Sequence, residues 1–312
     1  MEQVYQWGIA VIQGIQRMEN PFMTALMKGI TFLGTEYVYV VLMALIFWCI
    51  DEKRGFRLSV AVIFSAWLNT WMKALLKQPR PYDLDPSVGR AYESSYGIPS
   101  GHAQNSLVLG MVLASWGTKK RYYLFAVLAS AVIGFTRLYL GVHFPTDLFA
   151  GWLLGLIILA VYAVFGNLIE ALLTAGGIRA QIITAAAVSL LMNAVYPEDT
   201  NLSGLFLGMG AGYSLMVNRF PFSAGKGPDG LKPKFPVLIL RYITGLAGAL
   251  VIFLALKALL PGETSAYYQL GRFVRYGAAG FWVCAGAPWL FLRFGLAGRR
   301  DGTNQGEESP AE

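Results

Sequence analysis

Six side chains that are costly to bury fall in three short clusters of an otherwise apolar chain. Lys73 stands seven positions before Arg80, which lies between Pro79 and Pro81. The second cluster reads Pro99-Ser100-Gly101-His102, and the third combines Arg137, His143 and Asp147. The chain has 2 histidines, and both are in these clusters. A proline disfavours helical backbone in the residue before it, so Arg80 is expected on an extended segment. Lys73 sits about two helical turns earlier, near the end of an apolar run. Ser100 and Gly101 offer a hydroxyl and backbone N–H groups where a helix over "HAQNSLVLGMVL" begins, and a helix N-terminus beside a glycine favours an anion. His143 and Asp147 are four apart, a spacing that brings carboxylate against imidazole across one turn. Three cations, a helix-start cradle, two imidazoles and a carboxylate suit an oxyanion with two or more charges, most economically a phosphate. An imidazole held by a carboxylate is oriented and made more basic, as a nucleophile requires. The other, next to the cradle, is placed to hand a proton to a departing alkoxide.

Taken singly, each residue has a plainer reading. A histidine at a helix end is more often a hydrogen-bonded structural residue. Lys73 alone would be a snorkelling anchor, and Arg80 or Arg137 alone a contact to lipid headgroups. Ionisable groups in a membrane chain are nonetheless rare enough that six of them at span ends point to a functional site.

The elements that must position these groups are apolar. Of 312 residues, 55% are hydrophobic and 14% charged, with 35 glycines, beyond the range of soluble domains. Runs at 36–50, 56–76, 101–117, 122–136, 148–169, 180–196, 203–218, 237–260 and 276–294 approach the roughly 20 residues that cross a hydrocarbon core. They predict an all-α, multi-pass transmembrane bundle of nine spans. The net charge of +7 is read through its location rather than as a sign of nucleic-acid binding. Lys53, Arg54 and Arg57, then Lys119, Lys120 and Arg121, then Arg219, Lys226, Lys232, Lys234 and Arg241 share one side if spans alternate, and the positive-inside rule makes that side cytoplasmic. The loops at 77–100 and 137–147, and the residues of all three clusters, then face outward: periplasm, lumen or exterior. Cys49 and Cys284 show no disulfide or metal-ligand spacing, and no cofactor is expected.

Residues 1–34 interleave polar and apolar side chains and read as an interfacial helical segment, 35–170 as a catalytic core, 171–296 as additional spans and 297–312 as a disordered polar tail. The two long loops, 77–100 and 220–236, are rich in Pro and Gly; the second is expected only to join spans. In the first, the acidic Asp83, Asp85 and Glu93 either repel anionic headgroups or keep the loop solvated, and solvation is the expectation. Gly151-x3-Gly155 and "GMGAG" at 208–212 favour close helix contact.

Together the clusters resemble the type 2 phosphatidic acid phosphatase superfamily, which includes bacterial acid phosphatases and vanadium haloperoxidases. Its signature is Lys-x6-Arg-Pro, then Pro-Ser-Gly-His, then Ser-Arg-x5-His-x3-Asp. Here the three read "KALLKQPRP" at 73–81, "PSGH" at 99–102 and "TRLYLGVHFPTD" at 136–147. Thr136 replaces the usual serine and keeps a hydroxyl. The resemblance covers about residues 20–170 and implies a helical core with metal-independent hydrolysis through a phosphohistidine. By position it implies that His143 attacks phosphorus, Asp147 orients it and His102 protonates the leaving oxygen. Lys73, Arg80, Arg137 and the Ser100-Gly101 backbone hold the phosphoryl oxygens. The implied substrate is a phosphorylated lipid: a polyprenyl diphosphate, phosphatidate, phosphatidylglycerol phosphate or sphingoid-base phosphate. A phosphotransferase and a non-catalytic carrier of the same lipids are the competing readings. Residues from about 171 onward have no counterpart in this resemblance and are expected to serve packing or homo-oligomerisation, with a lid or a transport role as alternatives.

Overall fold

The computed structural model describes residues 2–300, and among them helices dominate. The chain divides into two compact units, residues 1–43 with 57–173 and residues 44–56 with 174–312.

The first unit holds α1 (Glu2–Gln16), α2 (Pro21–Phe32), the start of α3 (Glu36–Cys49), most of α4 (Glu52–Leu76), the short α5 (Pro81–Leu84), α6 (Gly101–Ala114), α7 (Lys120–Tyr139) and α8 (Pro145–Ala175). Local chemistry sets the boundaries. Asn20 caps α2 by accepting from Met23 N–H, with Pro21 as the first helical residue, the position where a missing N–H costs nothing. α7 ends in a Schellman motif: Gly141 has φ +67, its N–H donates to Leu138 O at 2.9 Å, and Val142 N–H donates to Arg137 O at 3.2 Å. A side chain at 141 would also lie 2.0 Å from the Val88 carbonyl oxygen. Four residues after Gly141, Pro145 opens α8, so Arg137, His143 and Asp147 are delivered by one helix–turn–helix corner. α6 and α8 approach backbone to backbone, since a Cβ at Gly151 would lie 2.5 Å from Ser100 O.

N-terminal α1 buries Ile9 and Ile12 with Val88 and Phe144, and Gln16 donates to the carbonyls of Val88 and Tyr139, each at 2.8 Å. This segment therefore packs onto the motif-bearing helices.

The second unit contains α9 (Gly177–Val195), α10 (Asn201–Arg219), α11 (Phe235–Leu259), α12 (Tyr268–Phe281), a π-helical turn at Trp282–Gly286 and α13 (Ala287–Arg293). The "GMGAG" stretch is a close seam: Cβ atoms at Gly208 and Gly212 would lie 1.9 Å from Gly277 O and 3.1 Å from Phe281 O on α12. Arg241, expected in the cytoplasmic charge cluster, is instead fully buried. It donates to the carbonyls of Ala224, Lys226 and Leu296 at 2.7 Å each and Trp48 at 3.3 Å, so it staples the 220–236 loop to its unit. The expected tail begins later than 297, because Gly298–Arg299 pairs antiparallel with Phe222–Ser223; its remaining residues, 301–312, lie outside the described ones.

The expectation of nine spans needs correction. Among the described residues five helices are long and apolar enough to cross a membrane, Glu52–Leu84, Lys120–Tyr139, Pro145–Ala175, Gly177–Val195 and Phe235–Leu259, and six if the α2–α3 pair, bent by 44°, counts as one. α6 has 14 residues, α10 is diluted by Gly, Ser and Asn, and α12 carries Arg272 and Arg275 before its π-turn.

Candidate active site

Every predicted site residue lies in the first unit, and Lys73, Arg80, Ser100, Arg137, His143 and Asp147 are all buried. His143 and Asp147 meet, though not by stacking along a helix. His143 precedes α8, while Asp147 occupies its third position, from which a carboxylate reaches back to the N-terminal N–H groups. Asp147 Oδ2 accepts from Phe144 N–H at 2.9 Å and faces His143 Nδ1 at 3.1 Å. One oxygen thus closes the helix start and fixes the imidazole with Nδ1 as donor, leaving a lone pair on Nε2. That Nε2 lies 3.4 Å from Arg80 Nη1. Burial, then the charges of Lys73, Arg80 and Arg137, hold the His143 pKa well below its ordinary value, so the ring is neutral, the form a nucleophile needs.

Arg80 is anchored where the sequence predicts an extended residue, with φ −91 and ψ 162. Its N–H donates to Asp83 at 2.8 Å, and its guanidinium to Val142 O at 2.7 Å, Ser95 O at 2.6 Å and Tyr96 O at 3.1 Å. Lys73 donates to Gly97 O at 2.9 Å and to Tyr96 O. Arg137 donates to Thr31 Oγ1 at 2.8 Å and to Glu93. Lys73, Arg80 and Arg137 all act electrostatically on His143, as does His102. The positive charge therefore converges around one imidazole, and a second imidazole is within range.

Ser100 is the N-cap of α6, but its own N–H is committed to Asp147 O at 2.9 Å. The Ser100 N–H therefore ties α6 to α8 and is not free for an anion, which leaves the N–H groups of Gly101 and His102 and the Ser100 hydroxyl as the candidate donors at the helix start. His102 Nε2 is buried and has no hydrogen-bond partner, and the same holds for Arg137 Nε. An unpaired buried imidazole nitrogen is costly unless a reacting group supplies its partner.

Several residues escaped the sequence reading. Asn69 donates to Pro99 O at 3.2 Å and to Gln104 Oε1 at 2.7 Å, and Gln104 donates to Ser65 O at 2.8 Å. This buried network seats the Pro-Ser-Gly-His segment, and a Cβ on Gly101 would already press Asn69 Oδ1 at 3.0 Å. Its signal was legible: Ser65, Asn69 and Lys73 repeat every four residues on one face of α4. Gly34 lies against the His102 ring, 2.7 Å from a would-be Cβ to Cδ2. Glu93, expected to be merely solvated, pairs with Arg80 at 2.8 Å and also with Arg137; nothing in its local sequence foretold two partners 13 and 44 residues away.

A model of the PAP2 superfamily matches residues 54–169, and a model of the PAP2 superfamily phosphatase transmembrane extension matches residues 200–299. The second match corrects the expectation that the C-terminal half lacks a counterpart. Lipid phosphate phosphatase delta of Arabidopsis thaliana is 24% identical over 280 residues, which is 81% of this chain and 66% of that protein. Phosphatidylglycerophosphatase B of Bacillus subtilis (strain 168) is 30% identical over 162 residues, 48% of this chain and 78% of that protein. A crystal structure of a transmembrane PAP2-type phosphatidylglycerolphosphate phosphatase from Bacillus subtilis is 26% identical, with a TM-score of 0.48 over 54% of this chain and 88% of that one. From the three motif clusters to the C-terminal helices, the chain belongs to the PAP2 superfamily of phosphatases.

Proposed function

We propose that this membrane phosphatase hydrolyses the phosphate monoester or diphosphate of a lipid through a phosphohistidine on His143, at the outer membrane face. The observation that carries the reading is the His143 imidazole, tied at Nδ1 to Asp147 and facing Arg80 at Nε2, beside a second imidazole whose Nε2 is unpaired.

His143 Nε2 attacks phosphorus while the bond to the lipid oxygen breaks, and Asp147 steadies the positive charge that builds on the ring. Arg80, Arg137, Lys73 and the first turn of α6 neutralise the phosphoryl oxygens, which carry the charge of the transition state. His102 gives its proton to the leaving alkoxide, then takes one from the water that attacks the phosphohistidine, releasing inorganic phosphate and restoring both imidazoles. A lipid-linked phosphate fits a buried cation cluster next to apolar spans. The names of the plant and Bacillus relatives, a lipid phosphate phosphatase and a phosphatidylglycerophosphatase, support that substrate class. The outward orientation rests on the basic clusters at 53–57 and 119–121.

The test is phosphate release from a panel of lipid monophosphates and diphosphates in detergent, by wild type and His143→Ala, with and without EDTA. Wild type is expected to release phosphate, insensitive to chelator, and His143→Ala to be inactive. Phosphate release that needs an added alcohol would instead mark a transferase, and binding without turnover, equal in both proteins, would mark a carrier.

A further inference from the structure

All three cations of the site find partners in a single stretch of the 82–98 loop. Lys73 bonds the carbonyls of Tyr96 and Gly97. Arg80 bonds Ser95 and Tyr96, and the Glu93 carboxylate bridges Arg80 and Arg137, one oxygen to each guanidinium. Arginines from two separate elements sharing two oxygens of one anion is the geometry expected around a phosphoryl group.

We propose that Glu93 is an internal competitor for the phosphoryl position and sets how tightly an anion must bind in order to enter: a substrate binds by displacing this carboxylate from between Arg80 and Arg137. The inference rests on the phosphatase reading above. The side chains of Arg80 and Arg137 are 1% and 3% exposed, whereas that of Glu93 is 30% exposed, so the carboxylate is the member with a path out. Its backbone stays behind, because Tyr82 OH donates to Glu93 O at 2.8 Å and accepts from Glu93 N–H at 3.1 Å. That tether keeps the effective concentration of the carboxylate high. When only the displaced fraction is competent, every ligand's apparent Kd rises by the same factor. The ratio of affinities is unchanged, but the threshold rises: a phosphodiester monoanion, weakly held by the arginines, is pushed to a Kd too high for occupancy, while a dianionic monoester or a diphosphate, held more tightly, still enters.

The experiment measures Kd for inorganic phosphate at pH 8.5 and for dimethyl phosphate by 31P NMR titration of the full chain in detergent, for wild type, Glu93→Gln, Glu93→Ala and Tyr82→Phe. Glu93→Gln is expected to tighten both ligands by about tenfold, the step from a charge-assisted to a neutral hydrogen bond. Glu93→Ala is expected to tighten them at least as much, and Tyr82→Phe about threefold by loosening the tether. Equal factors for the two anions are the mark of displacement. A gain for phosphate near the square of that for dimethyl phosphate would mean a fixed repelling charge and overturn the proposal. So would unchanged or weaker binding, which would make Glu93 an organiser of the arginines. Tyr82→Phe distinguishes the same alternatives should the Glu93 variants not fold. If wild type and variants alike bind neither anion, the assignment of the phosphoryl site to Arg80 and Arg137 falls with it; if all bind equally, only the displacement idea does.

Discussion

Replacing Asp147 by asparagine separates its charge from its geometry. Its Oδ2 accepts two bonds, from Phe144 N–H at 2.9 Å and from His143 Nδ1 at 3.1 Å. An amide in its place must still offer an acceptor to the buried Phe144 N–H, which fixes the asparagine oxygen inward and its NH2 outward. The same oxygen then still accepts from Nδ1–H, and the tautomer with a free Nε2 survives. Only the charge is lost, worth about 1–2 kcal/mol as the difference between charge-assisted and neutral hydrogen bonds, or roughly 5- to 30-fold in rate. In the serine-protease triad the corresponding swap leaves the wrong imidazole tautomer and costs about 10⁴-fold; here the shared oxygen is expected to prevent that inversion. Asp147→Ala removes both acceptors, orphans the Phe144 N–H and frees the imidazole, so a loss of about 10³-fold or more is expected. The assay is kcat for phosphate release under saturating lipid phosphate in detergent, for wild type, Asp147→Asn, Asp147→Ala and His143→Ala. An asparagine variant as inactive as the alanine variant would refute the claim that helix capping and imidazole orientation share one oxygen.

Further outcomes follow from the same geometry. Because burial and the surrounding cations hold the His143 pKa well below its usual value, protonation removes the nucleophile only at low pH. The acid limb of kcat/KM, corrected for substrate ionisation, should fall below about 6.5; a limb above that value contradicts a neutral nucleophile. Gly34→Val places a Cβ 2.7 Å from the His102 ring and, on the proposed role of His102 as acid, should lower kcat about tenfold or more with little change in KM, since its displacement affects the chemical step. Arg241→Met strips the partner from the carbonyls of Ala224, Lys226, Leu296 and Trp48. It should cost about 3 kcal/mol or more of stability, read as a lower midpoint in thermal unfolding, while phosphate binding in the other unit is retained below that midpoint.

The sequence carried the layout of the candidate site because three motifs with fixed internal spacing each encode a local structure. Pro79-Arg80-Pro81 forces an extended residue, Ser100-Gly101 starts a helix, and Gly141 to Asp147 turns one helix into the next. These are short-range effects and can be read residue by residue. Glu93 could not be read that way, because a carboxylate in a Pro- and Gly-rich loop has the same local pattern whether it meets water or two buried arginines. Arg241 failed for a related reason: a basic residue near a loop is normally a topological marker, and only the fold that gathers Trp48, Ala224, Lys226 and Leu296 around it gives it carbonyl partners. Asn69 was within reach, since its four-residue offset from Ser65 and Lys73 puts a polar stripe on an apolar helix. The number of spans was the least legible, because apolar runs report burial in protein and burial in lipid alike.

The seam at Gly151 and Gly155, where a Cβ would lie 2.5 Å from Ser100 O and 3.3 Å from Gln104 O, has a bearing on how this enzyme could diversify. With no side chain between them, the helices carrying His102 and Asp147 are in backbone contact, and a tightly packed seam of this kind is expected to behave as a rigid block, like the two cheeks of a welded vice. Accommodation of larger or smaller headgroups then has to come from the opposite jaw, the bend near Gly34 and the stretch from Tyr82 to Gly97. Variation in lipid preference among otherwise similar chains should accumulate there, while the welded side stays the same.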